Sequence, residues 1–227
     1  LGDLISEIGP ANKVNIAVFN DLQHTITGWP GGKPNADDST RPERANPFPK
    51  RVVVFSPHPD DDVISMGGTL ARLSEHGHEV HVAYQVSGNI AVFDDEVIRF
   101  LDFVRDIAPD FSFDQNKAQE AYDETLNFFS KKRPGQVDLP SIATCKGFIR
   151  KGEAKAACRY LGIPEDRIHF LDLPFYETGA IKKKPIGKED VEIIKELLKE
   201  VKPHQIFAAG DLSDPHGTHR VCFIAIL

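Results

Sequence analysis

A histidine and three consecutive carboxylates directly follow an apolar run in the first third of the chain. The stretch RVVVFSPHPDDDVISMGG, residues 51–68, places His58 between two prolines and then presents Asp60, Asp61 and Asp62. Like charges this close raise one another's pKa unless a cation is present. An imidazole and carboxylates at this spacing suit a divalent metal that accepts mixed nitrogen and oxygen ligands, and zinc is the usual example.

Helix capping is the simpler interpretation of these carboxylates. Asp61 or Asp62 would cap a helix that begins near Val63 by accepting hydrogen bonds from its first backbone amides. One aspartate satisfies that need, whereas three beside a histidine exceed it. We therefore favour a metal site, which needs at least one more ligand from elsewhere in the chain.

A second stretch near the C-terminus carries the same residue types. GDLSDPHGTHR, residues 210–220, follows the apolar run QIFAAG and places His216 and His219 three residues apart, on one face if a helix begins there. The other histidines are expected to be structural or solvated because they lie in turns, strands or the N-terminal segment. They are His24, His76, His78, His81, His169 and His204.

The elements that must position these residues predict an open parallel sheet. Residues 51–56 have the continuous β-branched character of a strand buried on both faces. Residues 63–76 show helical spacing closed by Gly77, and strand character returns over residues 78–87. A helix is expected from residue 148, over FIRKGEAKAACRYLG, and further strands and helices alternate after it, ending in the strand HQIFAAG.

This alternation favours right-handed crossovers and a doubly wound α/β fold. We expect a Rossmann-like three-layer sandwich with a mostly parallel sheet and a helical insertion. Ligands bind outside the carboxyl ends of the strands in such sheets. Both metal-binding stretches follow strand ends, so the fold predicts that they meet.

Three regions can be distinguished along the chain. Residues 1–49 contain a strand-like piece, KVNIAVF, and a segment rich in proline, glycine and polar residues, so they predict an N-terminal arm or a linker from a preceding domain. Residues 50–227 form the main domain, with a charged, aromatic-rich helical insertion at about 94–132. Because the chain starts at Leu1 and ends on an apolar run, we expect a piece of a longer protein, truncated at the C-terminus.

Composition argues against several classes of partner. The net charge of −7 disfavours nucleic acid or an anionic membrane surface. No run approaches the roughly 18 apolar residues of a membrane span, and no signal peptide opens the chain. The three cysteines are odd in number, which disfavours a disulfide framework, and they lack the spacing of metal ligands. We expect a reduced, cytoplasmic protein with a small-molecule substrate.

Together the motifs resemble those of the PIG-L/LmbE-like family, the GlcNAc-PI de-N-acetylases. PHPDDD followed by GG, then RKGEAKAACRYLG at residues 150–162, then PHGTHR occur in the family's order. Asp62 stands where the family usually has glutamate, and Thr218 stands where its closing motif commonly has an acid. The resemblance implies zinc-dependent removal of acetyl groups from N-acetylglucosamine units.

The resemblance also implies a role for each matching residue. His58, Asp61 and His219 hold the metal and leave positions open for water and the amide oxygen, as catalytic zinc requires. Asp60 matches the general base, and His216 matches the histidine that stabilises the oxyanion or protonates the leaving amine.

Arg150 matches an arginine that contacts the sugar. A surface ion pair with Glu153 or Glu165 on the same helix or the loop after it is the alternative for this residue.

Two other functions stay open at this point. Magnesium-dependent phosphoryl chemistry would use the three aspartates, but it leaves His58 and the HGTH motif unused because magnesium prefers oxygen ligands. A non-catalytic sugar-binding or regulatory module is the second alternative. Because some bacterial proteins join such a domain to a glucosamine-6-phosphate deaminase-like domain, a fused deaminase-like domain is expected as a partner, with an N-acetylated amino sugar or its phosphate as substrate.

Overall fold

The computed structural model describes residues 6–7, 9–15, 49–179, 182–210, 213–214 and 217–227. His216 and most of the predicted N-terminal arm lie outside the described residues. Residues 11–15 form a helical turn, in which the amides of Lys13 and Val14 bond the carbonyl of Pro10. The strand predicted for KVNIAVF is therefore wrong at residues 13–15, because a proline at the start of a turn favours helix; the rest of that piece lies outside the described residues.

The strands of the described chain form one parallel sheet. They are β1 (Arg51–Ser56), β2 (Glu79–Tyr84), β3 (Ile168–Phe170) and β4 (Gln205–Ala208), in the spatial order β3-β2-β1-β4. Each neighbouring pair is parallel, and Val54 at the centre of β1 is in register with Val82 of β2 and Phe207 of β4. The predicted parallel sheet is confirmed.

Helices connect and flank these strands. They are α1 (Asp61–Glu75), α2 (Asp94–Ile107), α3 (Gln115–Lys131), α4 (Pro140–Tyr160), α5 (Lys188–Val201) and α6 (Thr218–Ile226). Helix α1 ends as predicted, because Gly77 takes a left-handed φ of +74° and its amide bonds the carbonyl of Ser74 at 2.9 Å. Helix α4 begins eight residues before the predicted start at residue 148, because Pro140 opens its first turn.

The two faces of β1 are covered by different helices. Val53 and Phe55 face a core cluster that includes residues of α5 and α6, while Val52 and Val54 face a cluster built with α1 and α4. All four side chains are buried, which is why the sequence of β1 shows no alternation of polar residues. The result is the predicted three-layer sandwich.

The insertion lies outside the sheet, as predicted. Val97 of α2 packs against Ile142 and Ile149 of α4, with aromatic residues of α3 closing the cluster. An ion network then joins the same three helices and the segment before α4: Lys132 and Lys146 each lie 2.6–2.8 Å from carboxylate oxygens of Asp94 and Asp138. We call these four residues the insertion network.

The order of the strands places a crevice between β1 and β4. The chain moves outward from β1 to β2 and β3, and then returns to the other side of β1 with β4. In a doubly wound sheet, ligands bind at this reversal, outside the carboxyl ends of the two strands. The loops after β1 and β4 carry the two predicted metal-binding stretches.

None of the helices that the structure describes is both long enough and apolar enough to cross a lipid bilayer. The three cysteines are free, and Cys158 and Cys222 are buried within the two main core clusters.

Candidate active site

Three side chains from the two predicted stretches converge at the β1–β4 crevice. Nδ1 of His58 lies 3.1 Å from Oδ2 of Asp61 and 3.2 Å from Nε2 of His219, and these last two atoms lie 3.2 Å apart. A nearly equilateral triangle of this size leaves a point about 2 Å from all three atoms, the bond length of zinc to nitrogen and oxygen. Two imidazole nitrogens and one carboxylate oxygen form a donor set that fits zinc better than magnesium.

The loop after β1 holds His58 and Asp61 through its own backbone. Pro57 and Pro59 fix φ on either side of His58. The amide of His58 donates to Oδ2 of Asp61 at 2.8 Å, and the hydroxyl of Ser56 lies 2.5 Å from the carbonyl oxygen of His58. These bonds restrict both the imidazole and the carboxylate before any metal binds.

His219 is placed by the turn that opens α6. The amide of Gly217, which has a φ of +75°, bonds the carbonyl of Asp214 at 3.2 Å. The carboxylate of Asp214 accepts the amide of His219 at 2.9 Å and so caps the helix from outside. His216 lies outside the described residues.

The charge state of Asp61 suits a metal ligand. Burial by itself raises the pKa of this carboxyl, but its hydrogen bonds to His58 and the charges of His219 and His58 outweigh burial. The net effect lowers the pKa of Asp61. The residue is therefore an anion over the neutral pH range, as a carboxylate ligand must be.

Asp60 faces the same crevice but is not part of the group formed by His58, Asp61 and His219, which we call the metal cluster. It occupies the N-cap position of α1, yet its side chain makes no capping hydrogen bond. Instead its Oδ1 lies 3.0 Å from Nη2 of Arg150, whose Nη1 lies 3.5 Å from Glu153. The alternative predicted for Arg150, a pair with Glu153, is thus present, but the shorter pair links α4 to the metal-binding loop. Glu165 pairs with Lys155.

A cavity of about 660 Å³ opens at the cluster. A second, smaller cavity of about 160 Å³ adjoins it and shares two of its lining residues, Ile90 and Tyr176. The large cavity is lined by His58 and Asp61, by both residues of the Asp60–Arg150 pair, by residues of two other loops and by the first residue of α6. The lining residues are His58, Asp60, Asp61, Gly88, Ile90, Ala91, Arg150, Tyr176, Lys183 and Thr218.

The chain matches the family model described as GlcNAc-PI de-N-acetylase over residues 53–227. It belongs to that family. Membership makes the chain a deacetylase-type hydrolase, and enzymes of this family are typically metal-dependent, in agreement with the His58–Asp61–His219 cluster.

The chain is similar to a protein from Bacteroides thetaiotaomicron and to a solved structure from Pyrococcus horikoshii. The first is a Bacteroides thetaiotaomicron protein named "Putative glucosamine-6-phosphate deaminase-like protein", which is 62% identical over all 227 residues. The chain spans only 34% of that protein's length, about a third. The second is a solved structure, the N,N'-diacetylchitobiose deacetylase from Pyrococcus horikoshii complexed with its inhibitor MPG; it is 24% identical, with a TM-score of 0.47, and the match covers 80% of this chain and 50% of that one.

The first departure from the family motif, Asp62, lies beneath the metal-binding loop. The side chain is 3% exposed, and its oxygens lie 2.9 Å from the hydroxyl of Tyr84 and 3.2 Å from that of Ser56. Burial raises the pKa of Asp62, although the two hydroxyl hydrogen bonds oppose the shift. Asp62 thus joins the start of α1 to β1 and β2 from inside the core.

Gly88, Tyr176 and Lys183 are among the cavity residues that sequence reasoning missed. Gly88, after β2, has a φ of +66°, and a Cβ atom there would lie 3.2 Å from Cδ of Pro59 and 3.4 Å from Nε of Arg150. Tyr176 turns its ring edge-on to His58 at 6.0 Å between centroids, and burial raises the pKa of its hydroxyl to about 12. Lys183 also lines the cavity. Only Gly88 offered a signal, because it too follows a parallel strand.

The histidines predicted to be structural that the structure describes do make structural contacts. Nδ1 of His78 accepts the amide of Lys50 at 3.0 Å, and Nδ1 of His204 accepts the amide of Arg51 at 2.9 Å. Each bond fixes the chain on entry to β1. His81 and His169 stack on each other on adjacent strands, and His76 lies at the end of α1; His24 lies outside the described residues.

Proposed function

We propose that this chain hydrolyses the acetamide of an N-acetylated amino sugar or of a derivative of one, with zinc as the metal. The observation that carries the proposal is that two adjacent carboxylates, those of Asp60 and Asp61, have different partners. Asp61 belongs to a compact cluster with His58 and His219, while Asp60 faces the same cavity and is paired with Arg150. A ligand set beside an unliganded carboxylate is the arrangement that metal-assisted amide hydrolysis requires.

His58, Asp61 and His219 would hold the metal, which when bound supplies a water of lowered pKa and polarises the amide carbonyl. The proton of the attacking water goes to the carboxylate of Asp60. The ion pair with Arg150 occupies Oδ1 of Asp60 and fixes the orientation of the group, so we assign proton acceptance to Oδ2.

The sugar ring is assigned to the large cavity. Tyr176 and Ile90 supply its apolar walls, and Arg150 lies where it can contact both Asp60 and a sugar hydroxyl. His216 is assigned to the departing amine, to which it delivers a proton, or to the oxyanion. Its sequence position within the turn that carries His219 supports that role.

The donor set argues against the magnesium alternative. Two of the three converging atoms are imidazole nitrogens, whereas magnesium selects oxygen ligands and retains several waters. A non-catalytic module would need the same cluster but would have no use for Asp60, which lines the cavity without joining the cluster.

A deaminase-like domain fused to this one is a further proposal, supported by the name and length of the Bacteroides relative. If that fusion exists, we propose that the whole protein is cytoplasmic.

An acetate-release screen tests the proposal. Purified protein loaded with zinc, and the same protein stripped with a chelator, are incubated with N-acetylglucosamine, its 6-phosphate and N,N'-diacetylchitobiose. We expect acetate and free amine in equal amounts from at least one substrate, only with metal. Phosphate release that requires magnesium would support the phosphoryl alternative, and sugar binding without turnover would support the non-catalytic module.

A further inference from the structure

Lys183 enters the large cavity from the loop between β3 and α5. It belongs to the run Lys182, Lys183 and Lys184, and of the three it alone is half-buried, whereas its neighbours are exposed. It lines the cavity together with His58, Asp61 and Thr218. Of these three lysines, Lys183 therefore lies in the cavity beside the metal cluster, and Lys182 and Lys184 are exposed to solvent.

The side-chain partners that the structure describes for Lys183 are neutral. Its Nζ contacts the hydroxyl of Thr218 and lies 4.7 Å from the ring centroid of Tyr176. Burial lowers the pKa of Lys183, and the charge of Asp214 opposes that shift. The ammonium group of Lys183 has lost part of its hydration, and its contacts with a hydroxyl and an aromatic ring do not neutralise its charge. It can therefore still bind an anion.

Three other lysines of the described chain, two half-buried and one buried, are held differently. Lys132 and Lys146 each bind two carboxylates in the insertion network, and Lys151 binds Asp172 at 2.5 Å. These contacts neutralise each charge within the fold. The contrast indicates that the charge of Lys183 serves the cavity and not the stability of the loop.

The described lining of the cavity includes two cationic side chains, although the whole chain carries a net charge of −7. Arg150 and Lys183 line it, and helix α6 begins at Thr218, which adds the positive end of its dipole. An anionic substrate approaching an acidic protein needs such a local positive patch. Arg150 is already paired with Asp60, so of the two cationic side chains in the described lining, Lys183 is the one without a carboxylate pair.

We infer that Lys183 binds an anionic substituent of the substrate, and that a phosphate monoester on the N-acetylated amino sugar is the group recognised. The inference rests on the proposed function and narrows it to phosphorylated substrates. An ammonium group binds phosphate as a point charge through short, charge-assisted hydrogen bonds. The contact of Lys183 with Thr218, next to His219, places this recognition beside the metal cluster.

Substrate preference tests the inference. KM and kcat for acetate release are measured with N-acetylglucosamine and N-acetylglucosamine 6-phosphate in the full-length protein. We expect wild type to favour the phosphate by about 10- to 100-fold in KM. Lys183→Met should remove that preference, while Lys183→Arg should keep part of it. Lys184→Met is the matched control and should behave as wild type.

Calorimetric binding of glucosamine and glucosamine 6-phosphate to the same variants gives a readout that needs no turnover. Tighter binding of the phosphate that Lys183→Met abolishes supports the inference even if no acetate is released, and in that case only the proposed function fails. Equal KM and equal binding of the two sugars in wild type overturn the inference and leave deacetylation intact. An equal loss for both sugars in Lys183→Met, with the wild-type circular dichroism spectrum, also overturns it because the role would then be structural.

Discussion

Nη2 of Arg150 lies 3.0 Å from Oδ1 of Asp60, and this ion pair links helix α4 to the loop that carries the metal cluster. The neighbouring residue, Asp61, instead turns its carboxylate to His58 and His219. Two consecutive aspartates therefore face different partners. Their different surroundings are the physical basis for assigning one to proton transfer and the other to metal binding.

Replacing Arg150 should lower turnover without removing metal. In Arg150→Met the carboxylate of Asp60 loses the partner that orients it, so we expect kcat to fall by about 10- to 100-fold. Zinc content, measured by elemental analysis, should stay at the wild-type level. Arg159→Met, an exposed position on the same helix, is the control and should change neither quantity. Loss of zinc from Arg150→Met would contradict the assignment of Arg150 to Asp60 and the substrate rather than to the metal ligands.

Adding a methyl group at Gly88 should disturb the site more than the fold. In Gly88→Ala the positive φ costs about 1 kcal/mol, and the new Cβ also presses on Pro59 and Arg150. Gly135→Ala is a matched control, because Gly135 has a φ of +77° and open space around it. Both variants should lose similar stability in urea unfolding, but only Gly88→Ala should also bind zinc more weakly. Equal zinc affinity in the two variants would show that the contact with the loop is unimportant.

The insertion network should stabilise the fold at neutral pH and lose this effect in acid. Burial raises the pKa of Asp94, but hydrogen bonds from Lys132 and Lys146 outweigh it, so the net shift is downward. A lowered folded-state pKa gives stability that is complete above the unfolded-state value of about 4 and is lost as the pH falls through the folded-state value.

Asp94→Asn should therefore lower the free energy of unfolding by about 1–2 kcal/mol at pH 7, a figure reduced for the partial exposure of the carboxylate. The difference from wild type should shrink as the pH approaches 3. Denaturant unfolding at several pH values measures this, with the exposed Asp110→Asn as control. A difference that is independent of pH would mean that the charge of Asp94 contributes nothing.

The sheet and half of the site could be predicted because both depend on short-range patterns. The apolar run of β1 and the glycine after α1 predict their elements directly. His58 and Asp61 lie three residues apart in one stiff loop, so their proximity follows from the sequence. The meeting of this loop with the stretch that carries His219 follows from the rule that parallel strands end at one edge of the sheet, and the choice of His219 as a ligand came from the family resemblance.

Other features depend on contacts that no local pattern encodes. Lys183 is one of three adjacent lysines, and only the fold decides which of them enters the cavity. Arg150 has a partner on its own helix, and its shorter pair with Asp60 spans 90 residues. The strand predicted for KVNIAVF failed at residues 13–15 because Pro10 and the residues after it form a turn.

The most direct test of this account compares Asp60→Asn with Asp61→Asn. Zinc affinity is measured by calorimetry on metal-free protein, and acetate release is measured at saturating zinc on a substrate that wild type hydrolyses. Asp60→Asn should bind zinc nearly as wild type does and lose about 10²–10⁴-fold in kcat, the usual contribution of a general base. Asp61→Asn should lose zinc affinity, because it removes the anionic ligand. If Asp60→Asn strips the metal, or keeps wild-type turnover, the roles assigned to the two carboxylates are wrong.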